Sequence, residues 1–316
     1  MISLKAFYSF CFALVLLCAG AAHYASAQTA PVRFPRPSQK ATVMQTIGVT
    51  DVTITYHRPG VKGRQIWGDP LPSQAETKGE ATLDNQNTRP KGAPIVPWGH
   101  VWRAGANEAT QFEVTDDVLI NGQKLAAGKY SLHTIPTKDE WTIVFNNDAN
   151  QWGSFTYDAA KDTLRVKVKP EWVADNEEWL QYSMPVVGAN SAQVVLRWEK
   201  VRVPFTVEVP NVEAVWLGKA NAAVAANPTD WRIPMNVAGA YAGDSKWDDA
   251  LAWADKSIKV QQNFDNLRTK AIILFNAGRK EEGSKVADLA IAKGKEEKKD
   301  TAPFEKRVAG LKAAKM

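Results

Sequence analysis

The chain has almost no cysteine, and the little it has lies close to the N-terminus. Only two of its 316 residues are cysteine, Cys11 and Cys18. Both fall in a segment that has the form of an export signal, so the mature chain is expected to have none. Disulfide bonds, thiolate zinc sites and cysteine nucleophiles are thereby excluded. Stability must then come from burial, and an apolar content of 45% at this length supports one large core or two ordinary ones.

Long apolar runs are equally scarce. The one long run, Ala6–Ala22, follows Lys5 and precedes Ala25-Ser26-Ala27, which has the small-x-small pattern of a signal-peptidase site. The pattern predicts a signal peptide over residues 1–27, cleavage near Ala27, and a periplasmic or secreted mature protein. Two alternatives stay open: a lipoprotein anchor on Cys18, or retention of the whole segment as an anchor. No later run approaches the ~20 apolar residues of a membrane-spanning helix, so no transmembrane span is expected after processing.

The body of the chain has no excess charge of either sign. The formal net charge is +5, of which Lys5 contributes one unit. The tail 293–316 contributes four more, because it holds eight Lys or Arg against four Asp or Glu. The region between Gln28 and Ala292 is therefore neutral, whereas a nucleic-acid-binding protein concentrates positive charge on its folded face. We predict no nucleic-acid partner.

Motifs for common catalytic and cofactor chemistry are missing as well. The chain has no Gly-x-Ser-x-Gly nucleophile elbow, no phosphate-binding loop and no His-Glu-x-x-His pair, and no cofactor is predicted. Three histidines follow the predicted signal peptide: His57, His100 and His133. Imidazole is the commonest metal ligand, so an exported metal-dependent or other hydrolase using these histidines with Glu108 stays an alternative. Their spacing matches no metal-ligand pattern, and we therefore predict no metal.

What the chain does have is alternation of apolar and polar residues from Ala41 to Val209, within a β domain predicted over residues 28–209. Val52, Ile54 and Tyr56 alternate with polar neighbours, the period of a half-buried strand. About nine or ten short strands with no helical pattern among them predict an all-β antiparallel sandwich or a flattened barrel.

Within this β region, three local features are predicted. Asn121-Gly122 suits a type I′ hairpin turn, because both residues tolerate positive φ. Trp141–Phe145 and Trp179–Met184 are predicted to be inner strands. Residues 72–94 have no apolar period and are predicted to be a mobile surface insertion.

Past Pro210 the apolar period becomes that of helices. Five helical segments are predicted: Trp231–Tyr241, Trp247–Val260, Asn266–Asn276, Glu281–Ala292 and Phe304–Ala314. A spacing of about 34 residues between Tyr241 and Phe275 resembles the tetratricopeptide helix-turn-helix repeat. Residues 210–316 are therefore predicted to be a small all-α, tetratricopeptide-like module with a basic tail, which recruits a protein partner or stabilises the sandwich.

Three separated blocks of the β region resemble one known family. They are YHRPGVKGRQIW at residues 56–67, the stretch 99–136 beginning GHVWRAGANEATQFEV, and DEWTIVFNNDANQWG at residues 139–153. In this order they resemble domain of unknown function 2911, a family of bacterial exported proteins, and the resemblance extends over about residues 35–209. The family implies no activity, so the site must be sought in the residues themselves.

The candidate site combines guanidinium groups, indoles and polar side chains in two of these blocks. Guanidinium groups bind carboxylates and phosphates, and indole faces accept sugars or cations. We predict a small anionic or carbohydrate-like ligand. The candidate residues are Arg58, Lys62, Arg64, Trp67, Trp102, Arg103, Asn107, Glu108 and Thr110.

The same residues also allow a purely structural interpretation. Arg103 and Glu108 can pair, and Asn107 can tie the turn through side-chain to backbone bonds. The function predicted is that of a non-catalytic binding or accessory protein, with the loop site on the sandwich and a partner-binding helical module. An envelope scaffold acting through the helices is a further alternative.

Overall fold

The computed structural model describes residues 34–73 and 89–313. The predicted signal peptide and most of the predicted insertion at residues 72–94 lie outside these ranges. The described residues from 40 onward form one compact unit, separate from the short stretch before them.

Twelve strands are seen in the described ranges, and they form two antiparallel sheets and one short parallel pair. In chain order they are β1 (Gln39–Ile47), β2 (Thr50–Arg58), β3 (Trp67–Gly68), β4 (Val96–Pro97), β5 (Thr110–Val114), β6 (Val118–Ile120), β7 (Gln123–Leu125), β8 (Gly128–Pro136), β9 (Trp141–Asn146), β10 (Asp162–Val168), β11 (Glu171–Val187) and β12 (Ser191–Glu208). The large sheet has the order β1-β2-β5-β8-β9-β10, and the second has β11-β12-β6-β7. Among the described strands the sheets form no closed barrel, so the sandwich prediction is confirmed and the barrel alternative is not.

The core lies between the two sheets and is formed by the predicted alternation. Val52, Ile54 and Tyr56 on β2 all face it, because side chains two apart share one face of a strand. At its centre is a cluster of indoles in which the ring of Trp67 lies 5.1 Å from that of Trp141 and 5.6 Å from that of Trp198. Both contacts are edge-to-face, the arrangement that aromatic quadrupoles favour.

Two of the three local β predictions fall on described residues and can be compared with the fold. The hairpin turn between β6 and β7 is confirmed, with φ of 46° at Asn121 and 83° at Gly122. β9 is an inner strand as predicted, between β8 and β10. The prediction for Trp179–Met184 is wrong, because β11 is at the edge of its sheet. Its apolar residues pack on the core with one face only, and Trp179 is exposed.

Six helices follow the sandwich in the described part of the chain, one more than predicted. They are α1 (Val212–Ala226), α2 (Arg232–Gly243), α3 (Trp247–Val260), α4 (Phe264–Asn276), α5 (Lys280–Glu296) and α6 (Ala302–Ala313). The two helix pairs α2/α3 and α4/α5 pack on each other. Their identity as tetratricopeptide repeats stays a prediction. None of the helices in the described ranges is both long and apolar enough to cross a bilayer.

The helix that the sequence missed, α1, contacts two cores. Val212 and Val215 pack against the sandwich core, whereas Trp216 and Leu217 pack against the core of the helices. Because its apolar residues face two directions, they form no single stripe, and the periodicity that reveals an amphipathic helix is missing.

Direct contacts fix α1 to the sandwich. A Cβ atom built on Gly48 would overlap a methyl group of Val212. Nζ of Lys219 donates to the carbonyl oxygen of Val49 at 2.9 Å and to the carboxylate of Asp116 at 2.6 Å. The helices are therefore joined to the turn between β1 and β2 as well as by the chain itself.

Candidate functional site

The loop before β5 is closed by a set of short-range hydrogen bonds. The amide of Thr110 donates to the carbonyl oxygen of Arg103 at 3.1 Å, and its hydroxyl donates to the carbonyl oxygen of Ala104 at 2.9 Å. Nη1 of Arg103 donates to the carbonyl oxygen of Asn107 at 2.6 Å. These bonds hold the backbone of the loop in place.

The backbone of this loop is left-handed at two positions. Ala104 has φ of 51° and Asn107 has φ of 59°. Asparagine tolerates the left-handed region, but alanine pays a steric cost there because its Cβ crowds the following carbonyl. Such conformations persist only where the surroundings enforce them, and they are concentrated at functional sites.

Arg103 is the central support of the loop. It is only 8% exposed, and its guanidinium group lies over the ring of Phe155 at 5.2 Å. It also packs so close to Gly153 that a Cβ built there would lie 2.8 Å from Nη2. The amide of Gly153 in turn donates to the carbonyl oxygen of Asn107 at 3.0 Å. Arg103 therefore joins the loop to residues 153–155.

Glu108 and Trp152 are brought side by side at the surface. They form an isolated antiparallel bridge, flanked by the bond from the Ala109 amide to the Gln151 carbonyl and the bond from Gly153 to Asn107. This makes them a non-hydrogen-bonded pair, in which the side chains share one face and lie closest together. Nδ1 of the buried His57 lies 3.5 Å from Oε2 of Glu108.

Beneath this surface, His133 is fully buried in a polar network on the face of β8 turned away from the core. Nε2 of Gln151 donates to the hydroxyl of Ser131 at 3.3 Å, and this hydroxyl lies 3.0 Å from Nε2 of His133. Nδ1 of His133 lies 3.2 Å from the hydroxyl of Ser154. Each ring nitrogen of His133 thus has a serine hydroxyl as its partner, and in the neutral imidazole one nitrogen donates while the other accepts.

Burial lowers the pKa of His133 to about 4, and the nearby Arg103 adds to the shift, while Asp162 and Asp148 oppose it. The imidazole is therefore neutral at physiological pH. Asp162 extends the network by accepting hydrogen bonds from the hydroxyl of Tyr157 and from Nε of Arg165, both at 2.6 Å. Burial raises the pKa of Tyr157, and the bond to Asp162 raises it further.

The second predicted loop, at residues 58–64, is bonded to β11, and its arginines donate to main-chain carbonyl oxygens. Nε of Arg58 donates to the carbonyl oxygen of Leu180 at 2.9 Å. Arg64 donates to the carbonyl oxygens of Gly60 and Val61. Lys62 lies over the ring of Trp179 at 5.5 Å. The structure thus attaches this loop to the edge strand, whereas the loop at residues 103–110 is attached to residues 151–155.

Two of the candidate indoles are core residues. Trp67 is 8% and Trp102 is 4% exposed, and their rings are in edge-to-face contact at 5.6 Å. The expectation that they offer a face to a ligand is corrected by this burial. Sequence reasoning instead missed Trp152, which is 49% exposed, although it stands in the third family block. Only the pairing with Glu108 distinguishes it, and that pairing is not visible in the sequence.

The three histidines have different partners. His57 is beside Glu108, His133 lies between two serines, and Nδ1 of His100 is 2.9 Å from the carbonyl oxygen of Trp98. Within residues 34–73 and 89–313, no group of three or more His, Cys, Asp or Glu is placed to hold a metal ion.

Comparison with known proteins gives a match to a family model. No curated protein and no solved structure matches the chain. The family model described as "Protein of unknown function (DUF2911)" matches residues 38–207, more than half of the 316-residue chain. These residues contain the sandwich and both predicted loops. The resemblance of the three sequence blocks is thus confirmed, and the chain belongs to the DUF2911 family.

Proposed function

We propose that this protein is an exported binding or accessory protein whose ligand site is the surface formed by His57, Glu108 and Trp152. The observation that carries the proposal is the contrast between a fixed frame and exposed functional groups. Arg103 and Thr110 hold the loop from within, while the Glu108 side chain is 43% exposed and Trp152 is 49% exposed. Functional groups on a loop fixed to a rigid sheet are the usual form of a binding site.

The left-handed Ala104 supports the same proposal. A glycine there would remove the steric cost. The chain has alanine instead, in a loop whose conformation is fixed by several hydrogen bonds. Strain that the surroundings enforce next to exposed polar groups is typical of ligand sites.

The remaining parts of the proposal concern location and partners. Export to the periplasm or the exterior is supported by the pattern of residues 1–27. A protein partner of the helical module is supported by the predicted tetratricopeptide-like spacing. Because α1 contacts both cores, a partner held by the helices would be kept at a fixed distance from the sandwich site.

Thermal unfolding of two variants of the mature chain from Gln28 distinguishes a ligand site from a motif that only stabilises the fold. Arg103→Ala removes a buried charged group that donates a hydrogen bond to the loop. It is expected to lower the free energy of unfolding by about 3 kcal/mol, and Tm by about 6 °C or more. Glu108→Gln should leave Tm within about 1 °C, since surface substitutions rarely exceed ~0.5 kcal/mol. A fall with Glu108→Gln as large as that with Arg103→Ala would contradict the proposal, because Glu108 would then hold the fold.

A hydrolase is the second candidate, and the contact between His57 and Glu108 is the observation that favours it. A buried imidazole beside an exposed carboxylate can move a proton. This candidate predicts that the purified protein hydrolyses ester, amide or glycoside substrates, and that both His57→Gln and Glu108→Gln abolish turnover. Equal turnover in either variant and the wild type would rule it out.

A further inference from the structure

We infer that the surface formed by His57, Glu108 and Trp152 takes a neutral sugar ring. In this arrangement the ring stacks on the indole of Trp152 and donates a hydroxyl hydrogen bond to the carboxylate of Glu108. The inference rests on the proposed function and narrows its ligand class.

The pairing geometry supplies the two contacts that a sugar needs at one place. Glu108 and Trp152 form a non-hydrogen-bonded antiparallel pair, the closest side-chain spacing in a β-ladder. An indole face is a flat apolar surface that matches the C–H face of a pyranose. A carboxylate offers two oxygens that accept from neighbouring hydroxyls. Because both residues are on strand-like backbone, the spacing of the two contacts is fixed before binding.

An anionic ligand is disfavoured because the guanidinium groups are engaged elsewhere. Arg58 donates to Leu180, Arg64 donates to Gly60 and Val61, and Arg103 donates to Asn107, in each case to a main-chain carbonyl oxygen. A carboxylate or phosphate bound through paired hydrogen bonds would have to displace these bonds. The side chain of Glu108 is 43% exposed, and its carboxylate repels an anion.

A cationic ligand is disfavoured because a fixed positive charge, that of Arg103, lies next to the backbone of the pair. The guanidinium group of Arg103 donates to the carbonyl oxygen of Asn107, the residue before Glu108, and lies against Gly153, the residue after Trp152. This charge would repel a cation over Trp152, which offsets the attraction of the ring.

The test is a titration of the mature protein followed through the indole N–H signals in two-dimensional ¹H–¹⁵N NMR spectra. The neutral probes are cellobiose, maltose and N,N′-diacetylchitobiose, and the charged probes are choline and galacturonate. The Trp152 signal is identified by its loss in Trp152→Phe. At least one neutral disaccharide is expected to shift it in a saturable way, and choline and galacturonate are not.

Variants assign the binding to the pair, and because the Trp152 variants lack the indole signal of that residue, the affinities of all variants are measured by isothermal titration calorimetry. Trp152→Ala should weaken binding of the disaccharide about tenfold or more, and Trp152→Phe should recover part of the lost affinity. Glu108→Gln should weaken it by a smaller factor, because the amide keeps one acceptor oxygen. Trp179→Ala is the matched control, because Trp179 is also exposed, at 40%, but lies on β11. It should bind as the wild type does.

Each adverse outcome has a separate meaning. If choline or galacturonate shifts the Trp152 signal and no neutral sugar does, the sugar inference is overturned while the proposed site stands. If a sugar binds equally well to Trp152→Ala and to the wild type, it binds elsewhere, and the inference is again overturned. If no probe shifts the signal at any soluble concentration, the sugar inference is overturned. The thermal test of Glu108→Gln then decides the proposed function independently.

Discussion

Acid should destabilise this protein through His133, and the size of the effect follows from the burial of that side chain. The pKa of His133 is lowered from 6.5 to about 4 in the folded chain. Between these values the unfolded chain binds a proton that the folded chain does not. The stabilisation is therefore complete above about pH 6.5 and is lost as the pH falls toward 4. The full pKa shift corresponds to about 3.4 kcal/mol in the free energy of unfolding, of which about 2.5 kcal/mol is lost at pH 4.5.

The assay is urea unfolding at pH 7.5 and pH 4.5 for the wild type and His133→Gln. Glutamine can bond one of the two serines but has no proton to gain, and every other titrating group is common to both proteins. The wild type is expected to lose about 2.5 kcal/mol more than the variant between the two pH values. His133→Gln will be less stable at pH 7.5, because one hydroxyl loses its partner, but the comparison uses only the pH-dependent part.

An equal loss in both proteins would refute this reasoning. It would mean that protonated His133 is accommodated, and hence that solvent reaches the network of Ser131, Gln151 and Ser154. The loop that contains Gln151 and Ser154 would then open at low pH without global unfolding, and the account of a closed network beneath the candidate site would be wrong.

Three further outcomes are expected from the packing. Gly48→Ala should destabilise by about 2 kcal/mol more than Gly63→Ala, as measured by urea unfolding. Both glycines have positive φ, 62° and 67°, but only Gly48 faces a close neighbour, Val212; equal losses would mean that α1 does not pack here. Gly153→Ala should lower Tm by several degrees, because its φ is 66° and a Cβ there meets the guanidinium of Arg103 and the ring of Phe155, whereas an unchanged Tm would contradict this packing. A chain that ends before α1 should unfold at lower urea than the full chain, because it lacks Val212 and Val215; equal midpoints would show that the sandwich does not need the helices.

The sequence predicted the elements well where a local period or a turn signal decides them. The alternation around Val52–Tyr56 placed β2, and Asn121-Gly122 placed a hairpin turn that has the expected dihedral angles. The helix Trp247–Val260 has the predicted bounds. In these segments one face is buried and the other is solvated, so the residue pattern records the structure directly.

The sequence-based predictions fail where one helix or strand meets two different environments. The helix α1 was missed because its apolar residues serve two cores. The strand Trp179–Met184 was placed inside its sheet because its apolar content resembles that of an inner strand. Its position at the edge depends on which strands pair, and pairing is decided by the whole chain.

The same distinction applies to the residues of the candidate site. Sequence alone identified the loop around Arg103, Asn107 and Glu108, because charged and indole residues next to a hairpin are unusual enough to be noticed. It did not distinguish the buried Trp102 from the exposed Trp152, since both are tryptophans beside polar residues. Tertiary structure decided this by turning Trp102 into the space between the sheets and pairing Trp152 with Glu108 at the surface. The physical reason is that periodicity fixes which residues share a face of a strand, whereas register and sheet packing fix what that face meets.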